Sequence, residues 1–308
     1  MSLKILVTGG AGFIGSNLIK KLFKLNYSIV VLDNFSNGRK EYLKGVECEV
    51  IEGDIRYPET CEVAFKGVDK IVHLAAFGSV VDSVNEPKVN FDINVLGTFN
   101  VLNLAVKHNI SKVIFSSTGG ALVGNAEPPV NEKSLPKPIS PYGASKLCCE
   151  AYCNAFAESY NLKTICLRFA NVYGPNSEHK KGVVNQFSKC LARGEPLTIF
   201  GDGTSTRDYI HVDDLCRGIL AAISHDGLKN DIVHLATGRE TSLTELAKIF
   251  LSFERQGEGV LQYKAARLGE VDKNFAYYDR AKELFGYEPE ILLEEGMRST
   301  FKYLREFY

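Results

Sequence analysis

Apolar runs recur through the first half of the chain at 3–8, 28–33, 48–52, 69–75, 111–117 and 163–170. They are rich in Val, Ile and Leu and lack polar alternation, as expected of strands covered on both faces. Between them, helical periodicity runs near 14–25, 59–66, 87–108 and 141–160. Such alternation predicts an α/β fold, a doubly wound parallel sheet joined by right-handed crossovers. After about residue 171 the rhythm breaks into turns at Gly174-Pro175-Asn176, Gly194-Glu195-Pro196 and Gly201-Asp202-Gly203. Helical patterns follow near 183–193, 212–223, 242–252, 279–285 and 293–306, and Ile232–Ala236 reads as a strand returning to the first sheet. The expected division is 1–170, with segments near 210–237 rejoining it, and a smaller α/β lobe over 171–308.

The first strand runs into Thr8-Gly9-Gly10-Ala11-Gly12-Phe13-Ile14-Gly15-Ser16, and an amphipathic helix follows (Leu18, Ile19, Leu22, Phe23). Gly9 permits the tight turn, Gly12 lets the backbone approach a pyrophosphate, and Gly15 lets the helix pack on the sheet. The helix start then offers N–H groups and a partial positive charge to phosphates. Asp33 ends the second run, near the ~20-residue spacing of the carboxylate that binds an adenine ribose. Together these predict a Rossmann-type dinucleotide site. Asp33 would repel a 2′-phosphate, which favours NAD over NADP, although Arg39 stands nearby.

Composition changes this picture little. Over 308 residues, 45% hydrophobic and 24% charged with a net charge of -1, nothing calls for nucleic acid or an anionic membrane. No apolar stretch approaches the ~18 residues of a spanning helix, and a signal peptide would overlap the glycine turn. A cytoplasmic protein is expected. The eight cysteines form no C-x-x-C pair and read as reduced core thiols. The six histidines never pair at ligand spacing, so no metal is expected; His73, at a strand end, reads as structural or cofactor-side.

Tyr142 and Lys146 stand one helical turn apart, with Pro141 as a first helical residue. The ammonium favours phenolate, bringing the phenol from its reference near ~10 towards neutrality and making it a base. Ser116-Ser117-Thr118 ends an apolar strand on the cofactor side of the same sheet, where a hydroxyl suits a substrate oxygen.

In these motifs the chain resembles the extended short-chain dehydrogenases/reductases, and within them the sugar-nucleotide 4-epimerases. The resemblance runs through the glycine turn, Asp33–Gly38, Gly53–Arg56, His73–Ala76, Asn94–Thr98, Ser140–Lys146, Arg168–Pro175, Gly201–Gly203 and Arg207–Asp214. It implies NAD contacts from Gly9, Gly12, Phe13, Ile14, Gly15, Asp33, Asn34, Asp54, Ile55, Leu74, Ala75, Ala76, Asn94, Ser116, Ser117, Tyr142, Lys146 and Phe169. It implies Tyr142 as acid/base, Lys146 on the nicotinamide ribose, and Thr118 at the family's serine or threonine position. Asn171, Val183, Arg207, Arg267 and Glu270 are implied to hold the sugar nucleotide, the arginines by forked contacts to its diphosphate.

Related dehydratases carry Asp-Glu after the threonine, and this chain carries Gly119-Gly120. Without those carboxylates elimination has no evident catalyst, while removal of hydride from C4 and its return to the other face need only Tyr142 and the nicotinamide. The implied activity is therefore NAD-dependent 4-epimerisation of a UDP-sugar: UDP-glucose/UDP-galactose, or an N-acetyl or glucuronate form. Asn274, at a position where relatives tune sugar acceptance, does not decide among them. Val123-Gly124 and Arg267-Leu268-Gly269-Glu270 depart from the commoner patterns of relatives. Another oxidoreductase of the group and a non-catalytic NAD-binding regulator are the alternatives. The helix patterns at 87–108 and 146–160 are apolar on more than one side, which covering the sheet would also require; the resemblance, whose members pair two such helices from each subunit, implies a homodimer.

Overall fold

The computed structural model describes residues 2–227, 229–253, 261–265 and 271–308. The first half contributes strands β1 (Lys4–Thr8), β2 (Ser28–Asp33), β3 (Glu49–Glu52), β4 (Lys70–His73), β5 (Lys112–Thr118) and β6 (Lys163–Phe169). Its helices are α1 (Phe13–Lys24), α2 (Pro58–Cys61), α3 (Val80–Asn85), α4 (Pro87–Phe91), α5 (Gly97–Lys107), α6 (Gly120–Val123) and α7 (Pro141–Tyr160). The second half adds strands β7 (Asn171–Tyr173), β8 (Leu197–Phe200), β9 (Thr206–Arg207), β10 (Tyr209–His211), β11 (Asn230–Leu235), β12 (Thr241–Ser242), β13 (Leu261–Lys264) and β14 (Lys273–Asn274). Among them run helices α8 (Val183–Ala192), α9 (Val212–Ser224), α10 (Leu243–Leu251), α11 (Asp279–Phe285) and α12 (Leu293–Leu304).

The main sheet has seven parallel strands in the order β11-β6-β5-β4-β1-β2-β3. Alternate residues of each strand feed opposite cores, as the period of two requires. Ile5 and Val7 join a core built on α1 and α9 (Leu18, Ile19, Leu22, Leu215, Ile219), while Leu6 joins the core under α5 and α7 (Val101, Leu102, Cys153, Phe156). Each fully buried aliphatic side chain contributes about 1.5–3 kcal/mol relative to exposure. The strand expected at 232–236 is β11, paired along β6. A separate core gathers Phe187, Ile199, Tyr209, Leu246, Phe250, Met297 and Phe301 from the second half. Six of the eight cysteines are buried, and all are free thiols.

The structure corrects three helical expectations. The pattern over 87–108 is two α-helices joined by a π-helical turn, Asp92–Leu96. The pattern over 59–66 is α2 followed by a 3₁₀ turn, Glu62–Phe65. Helix α3 was not expected; its first turn is capped by Ser79, whose hydroxyl accepts from Asp82 N, and Val81 and Val84 stay exposed. No described helix is long and apolar enough to cross a membrane.

Candidate functional site

Strand β1 hands the chain to the glycine turn as expected. Gly9 sits at φ +68°, and its N–H donates to Leu32 O at 2.8 Å. A Cβ on Gly15 would lie 2.3 Å from Gly9 O, so only glycine lets α1 close on the turn. Gly12 caps α1 with no side-chain hydrogen bond, which leaves the first N–H groups of the helix for an anion. Phe13 and Ile14 open the helix, and Leu74 N donates to Thr8 O at 3.0 Å, drawing Leu74, Ala75 and Ala76 alongside the turn.

Asp33 is held at the end of β2 by two N–H donors, Phe35 to Oδ1 and Ala11 to Oδ2, each at 2.9 Å. Burial pushes its carboxyl above the ordinary value, and the two N–H donors pull back. Arg39 forms an ion pair with Glu178 (3.3 Å). Asp54 accepts from Asn34 Nδ2 at 2.9 Å and takes a forked contact from Arg56; hydrogen bonding to Arg56 lowers its carboxyl to about 2. Ile55 is buried beside Gly97.

Helix α7 is fastened to β5 residue by residue. Ser140 caps it, its hydroxyl accepting from Gly143 N at 3.2 Å, and Pro141 is its first residue. Lys146, 3% exposed, donates to Ser116 O at 2.8 Å. Ser117 donates to Glu150 Oε1 at 2.6 Å, and the hydroxyls of Thr118 and Tyr142 are hydrogen-bonded. Glu150 in turn pairs with Arg168 of β6 in a forked contact (2.9 and 2.8 Å), both side chains almost fully buried. Ser117 was expected beside the cofactor; its hydroxyl is committed to α7. The Asn94 side chain, carried by the π turn, accepts from Phe77 N at 2.8 Å and donates to Ser145 Oγ at 3.0 Å. Phe169 is buried at the end of β6, with its carbonyl accepting from Gly119 N.

The electrostatics differ from expectation in one respect. Burial pushes the Tyr142 phenol up to about 12, and the Thr118 hydrogen bond returns only part of that shift. Lys146 does not bring the phenol towards neutrality, because its ammonium is turned to the Ser116 carbonyl, 5.9 Å from the Tyr142 ring centroid. Burial also makes its own charge costly and lowers it to about 8. His73 bonds through its two ring nitrogens to Thr8 (2.6 Å) and Thr98 (3.0 Å), and burial lowers it to about 3, so it is neutral at pH 7.

In the second half of the chain, Asn171 opens β7 in an exposed position and Val183 is the first residue of α8, which has no side-chain cap. Arg207 lies on β9 opposite Asn274, with Nη1 donating to the carbonyls of Thr206 (2.7 Å) and Asp272 (3.0 Å). Arg267 and Glu270 lie outside the described residues. Asn274 is buried against Gly120, where an added Cβ would meet its Oδ1 at 2.8 Å, and a Cβ on Gly119 would meet the His234 ring at 3.2 Å. Sequence reasoning assigned no role to Glu150, Arg168, His234 or Glu178, whose bonded partners or packed neighbours lie 18 or more residues away along the chain.

A seven-stranded parallel sheet, a glycine turn and a Tyr–Lys helix beside a strand-end hydroxyl define a Rossmann-type dinucleotide-binding fold. A model of the NAD dependent epimerase/dehydratase family matches residues 5–236; the chain belongs to that family, and NAD is its cofactor. It is 39% identical to a putative UDP-glucose 4-epimerase of Methanocaldococcus jannaschii, over 98% of both chains. Among solved structures it resembles the UDP-glucose 4-epimerase of Thermotoga maritima crystallised with UDP-glucose (39% identity, TM-score 0.94, 99% of both chains). It also resembles the UDP-N-acetylglucosamine 4-epimerase of Methanobrevibacter ruminantium bound to UDP-N-acetylmuramic acid (30% identity, TM-score 0.93, 100% and 99% covered).

Proposed function

We propose that the protein is an NAD-dependent 4-epimerase of UDP-hexoses, with UDP-glucose and UDP-galactose as its first substrates. The observation that carries this reading is the Thr118-Gly119-Gly120 turn beside Tyr142. Thr118 and Tyr142 supply paired hydroxyls, while Asn274 and His234 crowd the two glycines where the carboxylates of an elimination enzyme would stand. Proton exchange at one sugar hydroxyl is then the chemistry this chain can perform. Bound NAD supplies reversible hydride acceptance at the same carbon.

The chain's own groups divide the work. Thr118 orients the C4 hydroxyl, and Tyr142 removes its proton and later restores it. Lys146, held by the Ser116 carbonyl with its ammonium 5.9 Å from the Tyr142 ring centroid, is assigned to a nicotinamide ribose. Gly9, Gly12 and Gly15 present the α1 N–H groups to the cofactor diphosphate, and Asp33 takes the adenine ribose. On the opposite lobe Asn171, the start of α8 at Val183, and Arg207 grip the sugar nucleotide's diphosphate, with Arg267 and Glu270 assigned to the same task. A firm grip on the diphosphate and a loose one on the hexose let the 4-keto sugar present its other face.

The enzyme acts as a homodimer through the α5–α7 face, in this reading. Phe91, Leu96, Tyr152 and Tyr160 are exposed there, around Phe99, which packs edge-on against Tyr152 and Phe156. The free thiols suit the reducing cytoplasm. Sedimentation at micromolar concentration tests the dimer; a single monomeric species removes it. The activity is tested by incubating the protein with UDP-glucose, UDP-N-acetylglucosamine or UDP-glucuronate without added NAD and following the sugar protons by NMR. A galacto-configured product, formed fastest from UDP-glucose, is expected. No product in any tube, with NAD bound, refutes the reading.

A further inference from the structure

We propose that Glu178 is a positioning residue for cofactor retention: through Tyr42 and Arg39 it ties the segment between Asn171 and Val183 to the loop that covers Asp33. This inference rests on NAD as the cofactor and not on which sugar is turned over, so either can fail without the other.

Residues 34–39 leave β2 and fold back over the glycine turn, where Arg39 N donates to Ala11 O at 2.9 Å. The loop also carries Phe35, whose N–H holds Asp33 Oδ1. It continues into a 3₁₀ turn, Lys40–Leu43, whose Tyr42 is 8% exposed. The Tyr42 hydroxyl donates to Glu178 Oε1, and Arg39 Nη1 lies 3.3 Å from the same oxygen. The Arg39 guanidinium stands 5.8 Å from the Tyr42 ring centroid, and the Glu178 side chain is 5% exposed.

Glu178 comes from the other lobe, and its segment is pinned separately. Asn17 Nδ2 donates to Pro175 O at 3.0 Å, Asn176 Nδ2 to Ser16 Oγ at 2.9 Å, and Tyr303 to Asn176 Oδ1 at 2.9 Å. The Lys180 ammonium lies 5.2 Å from the Phe13 ring centroid. The carboxylate therefore closes a ring: Asp33, the 34–42 loop, Glu178, the 174–181 segment, and back to the start of α1. An adenosine half seated at Asp33 leaves only when the loop lifts. Lifting it separates a charge-assisted hydrogen bond and an ion pair, and strands a buried carboxylate. An epimerase consumes no NAD, so slow release costs it nothing in turnover, and the contact is made by residues that need not touch the sugar.

The test uses the NAD-loaded protein and two variants, Tyr42→Phe and Glu178→Gln. Release of bound NAD after dilution into a charcoal trap is followed by assaying the NAD that remains. Each variant is expected to shorten the half-life about tenfold, equivalent to about 1.4 kcal/mol. Because both remove one contact, the double variant should release NAD no faster than about twice the quicker single. The melting temperature should fall further in the NAD-loaded form than in the NAD-stripped form. Arg39→Gln, at a half-exposed position, puts little at risk in folding and shortens the half-life by a smaller factor. Half-lives within twofold of the parent for all three overturn the proposal. An equal loss of melting temperature with and without NAD also overturns it, since that is the signature of a merely structural contact.

Discussion

Replacing Glu150 by Gln leaves the Arg168 guanidinium buried without its counter-charge. The parent pair is forked, at 2.9 and 2.8 Å, between side chains 2% and 3% exposed. Removing one partner of such a pair costs about 3–5 kcal/mol, chiefly from the stranded charge. Gln still offers an oxygen to Ser117 and to one guanidinium N–H, so about 3 kcal/mol is expected. Over 308 residues, unfolding entropy near ~2.1 cal/mol/K per residue converts this to a fall of about 5 °C in Tm. Urea unfolding gives the free energy directly. The same measurements on Arg168→Met and on Glu150→Met with Arg168→Met close a double-mutant cycle. The paired apolar replacement should recover most of that loss, because no charge is then stranded and only the Ser117 hydroxyl loses its acceptor. A Glu150→Gln loss below about 1 kcal/mol, or a double variant no better than the worse single, refutes the reasoning.

Tyr142→Phe should lower kcat about 10²–10⁴-fold, with KM for the UDP-sugar and bound NAD largely retained; a fall of less than tenfold in the NMR assay removes Tyr142 as the acid/base. Gly120→Ala places a Cβ 2.8 Å from Asn274 Oδ1 and should cost about 1–3 kcal/mol in urea unfolding, relieved by Asn274→Ala in the same chain. No cost, or no relief, contradicts the crowding. The Asp54 carboxyl, depressed to about 2 by Arg56, contributes stability that is fully present above about pH 4, the unfolded value. That contribution shrinks as pH falls through about 2, so the stability gap between the parent and Arg56→Gln should close between pH 4 and pH 2. A gap that is constant over this window argues that the pairing contributes nothing.

How much of this was legible in the chain follows from the range over which each requirement acts. The glycine turn and Asp33 are local necessities of one strand–turn–helix unit, so spacing alone exposed them. Tyr142 and Lys146 stood out because four residues make one helical turn. The effect of Lys146 on Tyr142 is not readable from that spacing, since the direction of its ammonium is set by the Ser116 carbonyl on β5. The π turn at Asp92–Leu96 was hidden because a single widened turn leaves the apolar rhythm of 87–108 almost unchanged. Strands β9, β12 and β14 are two residues long, too short for any alternation to show. Glu150 and Glu178 read as ordinary helix and loop acids; only folding brings them to Ser117 and Arg168, and to Tyr42 and Arg39.

The position of β11 in the main sheet governs the order in which the molecule can be completed. Strand β6 has buried neighbours on both sides, yet the strand that covers its outer edge lies more than sixty residues later, beyond the whole β7–α9 stretch. On the ribosome, the nascent sheet therefore carries an open, apolar edge until Leu235 has emerged, a period in which pairing with another nascent chain competes with correct closure. A chain cut at residue 170 should inherit that edge permanently and aggregate. Co-expression of the 171–308 fragment should rescue it by supplying the missing strand in trans.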